Sequence, residues 1–289
     1  MWIRVRTTTW AAGESVVLTY TYNVNDGTTD VAQTATITIN GVNDDPTVGA
    51  AVSATTNEDA ASFSVDALAG ASDDDTSDVL DVNTVVETSG NDASGVVFNA
   101  LTNNFDVDPS AYNYLAAGES VVLTYTYNVN DGTTDVAQTA TITINGVNDD
   151  PTVGAAVSAT TNEDAASFSV DALAGASDDD TSDVLDVNTV VETSGNDASG
   201  VVFNALTNNF DVDPSAYNYL AAGESVVLTY TYNVNDGTTD VAQTATITIN
   251  GVNDDPTVGA AVSATTNEDA ASFSVDALAG ASDDDTSDV

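Results

Sequence analysis

The residues with the densest chemistry in this chain are Ser72-Asp73-Asp74-Asp75-Thr76-Ser77-Asp78, whose four carboxylates return at Asp178, Asp179, Asp180 and Asp183. Hard divalent cations take about six to eight oxygen ligands, and clustered aspartates supply them. Smaller acidic groups recur around these loops: Glu58-Asp59 and Asn148-Asp149-Asp150, then Glu163-Asp164 and Asn253-Asp254-Asp255. Outside the first ten residues the chain has no Lys, Arg, His, Cys or Trp. Carboxylate or metal chemistry is then all that remains for catalysis, and identical active sites in every tandem copy would be unusual, so an enzyme is not expected.

The elements that must position these acids come in copies. Ala11, Ala116 and Ala221 each open the string AAGESVVLTYTYNVNDGTTDVAQTATITINGVNDDPTV, a period of 105 residues, with no substitution where copies overlap. That period exceeds the repeats of about 20 to 50 residues that build solenoids and suits a β-sandwich that folds alone. The seam falls at Gly146-Val147-Asn148-Asp149-Asp150-Pro151, because proline ends a ladder and restricts the residue before it. Complete domains are expected at 46–150 and 151–255, flanked by the last part of one repeat at 11–45 and the first part of another at 256–289. Residues 1–10, MWIRVRTTTW, break the pattern. Codons that can encode them spell Val-Asp-Pro-Ser-Ala-Tyr-Asn-Tyr-Leu when read two bases later, which is the sequence of Val107–Leu115. They read as an out-of-frame copy of the repeat and are set aside from fold reasoning.

The unit from Pro46 to Asp150 carries 17 Asp and Glu and no base, so its self-repulsion must be relieved from outside the chain. With 42% hydrophobic residues in strand-like order it is a folded chain and not an acidic disordered tail. Such a surface repels nucleic acid and anionic membranes, and divalent cations are the natural partner. Lack of cysteine leaves metal ions as the available staple. No apolar run reaches membrane-spanning length, so this segment is not expected to insert in a membrane.

Val121, Leu123, Tyr125, Tyr127 and Val129 share one strand face, and Ala140, Ile142 and Ile144 alternate with threonines on the next run. The Asn130–Asp135 turn between them contains an Asp-Gly pair, predicting a hairpin. Further strands are expected at Thr47–Ala54, Ala61–Val65, Val79–Val86, Val96–Leu101 and near Phe105–Val107, about seven in all, with at most one short helical turn at Asp66–Gly70. In a sandwich the Asp73–Asp78 loop and the Asp131 turn lie where the chain enters, and Glu58-Asp59 lies where it leaves. Stacked domains would therefore bring Glu58, Asp59, Asn148, Asp149 and Asp150 together with Asp178, Asp179, Asp180 and Asp183 in a Ca2+ junction.

The linker VNDDP resembles the proline-terminated calcium linker of cadherins, and LAAGESVVLTYTYNVNDG with TATITINGVNDDP resembles the VCBS and cadherin-like repeats of giant bacterial RTX adhesins. The likeness covers the chain after Trp10 and departs at Gly146, where the cadherin linker has an acid. It implies an all-β chain of tandem immunoglobulin- or cadherin-like sandwiches, arranged end to end and rigidified by Ca2+ between neighbours. It also implies a secreted, cell-surface setting in which the repeats hold adhesive domains away from a cell. The competing readings are a solvated acidic loop of a salt-adapted protein for Asp73–Asp78, a polar linker for Asn148–Asp150, and plain turn residues for Asp131 and Asp135. Tyr112, Tyr114, Tyr125 and Tyr127 are either a sugar-binding platform or strand packing, and alternation favours packing. The alternative function is a repeated weak glycan- or cell-binding module acting by avidity.

Overall fold

The computed structural model describes residues 10–286. Met1–Thr9, nearly all of the segment read as out of frame, lie outside the described residues. The chain divides into two units, Met1–Asn148 and Asp149–Val289, and both are all-β.

The first unit opens with a hairpin of β1 (Ser15–Asn25) and β2 (Asp30–Asn40). A sandwich of seven strands follows: β3 (Val52–Asn57), β4 (Phe63–Asp66), β5 (Asp81–Glu87), β6 (Val96–Asn99), β7 (Asn104–Val107), β8 (Ser120–Asn130) and β9 (Asp135–Asn145). One sheet has the order β3-β9-β8-β5 and the other β4-β7-β6. All pairs are antiparallel except β3 with β9. The second unit repeats this as β10 (Val157–Asn162), β11 (Phe168–Asp171), β12 (Asp186–Glu192), β13 (Val201–Asn204), β14 (Asn209–Val212), β15 (Ser225–Asn235) and β16 (Asp240–Asn250). The chain is thus a tandem of β-sandwiches.

Period-two patterning accounts for the core. Leu123, Tyr125, Tyr127, Val129, Ile142 and Ile144 point inward from β8 and β9 and meet Val65, Val96, Phe105 and Val107 of the smaller sheet. Phe105 lies against both tyrosines, with ring centroids 4.7 Å from Tyr125 and 5.9 Å from Tyr127. Tyr112, Tyr125 and Tyr127 are buried, so these rings pack the core and form no sugar platform.

Several strand limits differ from expectation, among them the second strand, which runs Phe63–Asp66 where Ala61–Val65 is expected. The first strand begins at Val52, because Thr47 bridges Ser72 in the acidic loop and the Gln138 amide takes the carbonyls of Gly49 and Ala50. The third begins at Asp81 and carries a bulge between Asn83 and Val86, with Thr84 at φ 56°. The fourth stops at Asn99, whose Oδ1 caps the Leu101 N–H at 3.1 Å. A 3-10 turn, Pro109–Tyr112, is too short to show a helical period in sequence. Asp66–Gly70 is a turn, with the Leu68 N–H bonded to Asp66 Oδ1 at 2.8 Å.

The buried Tyr127 hydroxyl donates to the Ala67 carbonyl across the core at 2.8 Å. Tyr127→Phe removes that bond and leaves the carbonyl unpaired, an expected loss of about 1–3 kcal/mol. In denaturant titrations of the full chain the altered repeat should unfold ahead of its unaltered twin, whose Tyr232 still bonds Ala172. A single unshifted transition contradicts this account.

Candidate metal centre

The acidic loop between β4 and β5 is shaped by its own side chains. Asp73 Oδ1 accepts the Asp75 N–H at 2.8 Å, and the Asp78 N–H bonds the Asp75 carbonyl at 3.0 Å. Aspartate favours such turns because its short side chain reaches backbone two residues on. The folded loop places one carboxylate oxygen each of Asp73, Asp75 and Asp78 within 4.8 Å of one another. Asp74 alternates away and is exposed.

The preceding linker closes over this loop. Asp44 donates its N–H to Asp75 Oδ2 at 2.8 Å, and the Asn43 amide donates to Asp131 Oδ2 at 2.9 Å. Asp131 therefore serves twice. Its other oxygen accepts the N–H groups of Thr133 and Thr134 at 2.6 Å each and so holds the hairpin turn, where Gly132 sits at φ 100°. Sequence weighed Asp131 as a turn residue at the end where the chain enters; the fold adds its bond to the linker amide of Asn43. Burial works against the Asp131 charge, but hydrogen bonds from Thr134, Asn43 and Thr133 outweigh it and hold its pKa below the ordinary value. Asp44 and Asp78 are pushed the other way, by burial first and then by neighbouring carboxylates that include Asp73 and Asp75.

The second unit has the same arrangement. Asp180 Oδ2 accepts the Asp149 N–H at 2.8 Å, and Asp178 Oδ1 accepts the Asp180 N–H at 3.0 Å. Burial, and then repulsion among Asp178, Asp183 and Asp236, raise the pKa values of Asp178 and Asp180. Asp179 is exposed and Asp183 half-buried.

Glu58 and Glu163 stand at the far ends of their sandwiches, each 1% exposed. Val147 donates to Glu58 Oε1 at 2.6 Å, and Val252 donates to Glu163 Oε1 at 2.6 Å. Within the second unit the acids of three segments meet. Asp254 donates its N–H to Asp285 Oδ2 at 3.0 Å. Its carboxyl is raised by burial first, then by Asp164, Asp285, Asp284 and Asp283. Glu163 is raised chiefly by burial, with Asp254 and Asp285 adding to it. Thr286 seats the incoming loop by giving its N–H and its hydroxyl to the Tyr219 carbonyl, each at 3.1 Å. Asn253 turns its amide onto the Asp254 carbonyl at 2.8 Å. Asp59, Asp150, Asp164 and Asp255 are exposed, and Asn148 and Asp149 are half-buried.

Gly146 explains the departure from an acidic linker. A Cβ there would lie 2.2 Å from the Ala116 carbonyl oxygen and 2.4 Å from that of Leu115. No side chain fits, and Glu58 is the buried acid at this end.

These residues fit a hard cation. Asp75, Asp180 and Asp285 are each 1% exposed. In each, one oxygen holds a linker N–H and the other, Oδ1, is buried with no hydrogen-bond partner among the described residues; Asp73 Oδ2, Asp178 Oδ2 and Asp254 Oδ2 are buried and unpartnered in the same way. A buried unpaired polar atom costs about 1–3 kcal/mol, and more when charged. The repeats have no cationic side chain to offset it. Calcium bonds oxygen at about 2.3–2.6 Å, so ligands across one ion stand up to about 5 Å apart, the scale of the Asp73–Asp75–Asp78 cluster.

No protein-family model matches the chain, and no match to a curated protein was found. Solved structures similar to it include human protocadherin-24 repeats EC1-2, at 19% identity and TM-score 0.40, covering 74% of this chain and all of that one. The protocadherin γB4 extracellular domain matches at 15% identity and TM-score 0.39, over 82% of this chain and 40% of that one. Drosophila N-cadherin EC1-4 matches at 12% identity and TM-score 0.28, over 83% and 59% respectively. At such scores the likeness carries no argument about function.

Two outcomes follow from this electrostatics. The raised carboxyls of Asp44, Asp78, Glu163, Asp178, Asp180 and Asp254 bind protons more tightly folded than unfolded. They weaken the fold at neutral pH, and the loss is recovered as pH falls through their folded values toward 3.8 for aspartate and 4.5 for glutamate. In chelator the melting temperature should rise on acidification from neutrality to just above that range; with Ca2+ the rise should flatten or reverse, because protons then compete with metal. Asp75→Asn with Asp180→Asn should stabilise the chelated chain and destabilise the calcium-loaded one. Calorimetry reporting the same sign in both conditions would remove these residues from the centre.

Proposed function

We propose that the chain is a calcium-stiffened spacer from a large secreted bacterial surface adhesin of the VCBS or RTX type, with no chemistry of its own. One observation carries the reading: Asp75, Asp180 and Asp285 are buried with an orphaned oxygen in repeats that have no cation to pair with them. The acids around Asp254 belong to one repeat, its linker and the start of the next, so an ion held among them ties neighbours together. The same residue types recur at Glu58, Asp59, Asn148, Asp149, Asp150, Asp178, Asp179, Asp180 and Asp183, and the proposal extends to them. Flexible tethers lengthen only as the square root of their residue number, whereas clamped domains lengthen in proportion to copy number. Repetition then supplies reach, and an extracellular medium supplies the calcium.

In the absence of the ion the linker carboxylates repel and the linker acts as a hinge. With it, their oxygens share one coordination sphere. A ligand that binds only the folded state adds about 2.7 kcal/mol per site at a hundredfold excess over its Kd. The full chain should melt many degrees higher in millimolar Ca2+ than in EDTA at matched ionic strength, and sodium chloride alone should not reproduce the gain. Equal midpoints, or full recovery by sodium chloride, would return the acids to a salt-adapted surface. Small-angle scattering should report a longer, narrower particle with Ca2+. Asp149→Ala with Asp150→Ala should abolish that lengthening while each sandwich stays folded.

A further inference from the structure

We propose that the outer face of each three-stranded sheet is a shallow groove that binds neutral glycans, one site per complete repeat. In β4, β6 and β7 the inward side chains, Val65, Val96, Phe105 and Val107, fill the core. The outward ones form a cross-strand row, since Asp106 of the central strand is paired in register with Ser64 on one side and Val97 on the other. Ser64 gives its hydroxyl to Asp106 Oδ1 at 2.6 Å, and Asn99 gives its amide to Oδ2 at 3.1 Å. Two residues on, Asp108 Oδ1 accepts the hydroxyls of Ser110 at 2.8 Å and Ser62 at 3.4 Å. Ser62, Phe63, Ser64, Val97, Asp106 and Asp108 line an open groove of about 430 Å³. The equivalent residues of the second repeat line another of about 430 Å³, where Ser169 and Asn204 hold Asp211 at 2.6 and 3.1 Å.

The chemistry selects the ligand. Each Asp106 oxygen keeps a lone pair beyond the bond it already accepts, and a fixed, ionised carboxylate takes strong hydrogen bonds from hydroxyl groups. The serine hydroxyls accept as well as donate. Beside this polar row Val97 is 63% exposed, an apolar contact suited to the C–H face of a pyranose. Hydrogen bonds also hold the Asp106 carboxyl below its usual range, so it is an acceptor at neutral pH. Anionic polysaccharides are repelled by 17 acids without a base in the repeat. The carboxylates here have hydroxyl and amide partners, unlike the orphaned oxygens around Asp75, and do not call for a cation. A basic peptide would be drawn to the denser Asp73–Asp78 loop. Grooves recurring in one chain add avidity to a weak single contact.

The test uses the full chain with maltohexaose, cellohexaose and mannohexaose as probes, titrated by calorimetry in Ca2+ and in EDTA. At least one neutral hexasaccharide should bind in both media, and Asp106→Ala with Asp211→Ala should weaken it about tenfold or more, the scale of a lost charge-assisted hydrogen bond. Val97→Lys with Val202→Lys should block the same groove by setting an ammonium against Asp106 and Asp211 across the strands, so a loss in either pair with no fall in melting temperature supports the site. Silence from all three probes at millimolar concentration overturns the proposal, as does binding that both variant pairs leave intact or capture of an oligolysine peptide alone. Because glycan binding is read in EDTA as well, its failure is distinguishable from failure of the calcium spacer.

Discussion

Buried negative charge with no cationic side chain to meet it is the constraint on which the rest of this structure depends. Both bases of the chain, Arg4 and Arg6, lie before the first repeat, against 46 acids. The sandwich must therefore compensate its carboxylates with main-chain N–H groups, amides and hydroxyls. Asp75 takes the Asp44 N–H, Asp131 those of Thr133 and Thr134, and Glu58 that of Val147. These are charge-assisted bonds and individually strong, but each takes up only part of one carboxylate. What is left over at Asp75, Asp180 and Asp285, one oxygen each buried without a partner among the described residues, is the feature that suits them to a metal ion.

The same economy joins local turns to long-range architecture. Asp131 satisfies a hairpin turn with one oxygen and holds the Asn43 amide with the other, so the turn residue that sets strand register also anchors the linker. Loop placement follows from topology. The parallel pairing of β3 with β9 requires the chain to cross to the other sheet before it returns. That crossing puts the Glu58 turn where the chain leaves the sandwich, with Glu58 bonded to Asn145 and Val147, and the Asp73–Asp78 loop where it enters.

Much of this was legible from residue order. Alternation in β8 and β9 and the Asp-Gly turn specify a hairpin with a one-sided core, and the observed register, with Leu123 opposite Ile142, is the one that buries both apolar faces. The acidic loops were legible by composition as clusters of like charge with no base to meet them. Less legible were the ends of short strands, where side chains such as Gln138 and Asn99 capture backbone groups and stop the ladder. The role of Asp131 was hidden because its local reason, a tight turn, is sufficient by itself. The groove over Asp106 was hidden because Ser64 and Val97 lie far from it in sequence or carry no signal of their own.

The chain supplies an internal control for the division between sequence and tertiary structure, since identical strings occur with and without their partners. β1 and β2 repeat β8 and β9 residue for residue and pair in the same register, and Asp26 holds its turn through Thr28 and Thr29 as Asp131 does. Hairpin, register and Asx turns are thus determined by sequence, because their contacts are local and closing so short a loop costs little entropy. The start of the third copy also keeps its local features: the Thr257–Ser282 bridge, and the turns at Asp276 and Asp283. Yet Val262–Asn267, identical to β3, forms no strand, and Phe273 is 57% exposed. Tyr22, Val24 and Ile37 are 48%, 55% and 44% exposed, whereas their twins Tyr127, Val129 and Ile142 are 2%, 0% and 0%. The parallel ladder and the closed core need residues some 90 positions apart to meet, so only the tertiary structure decides them.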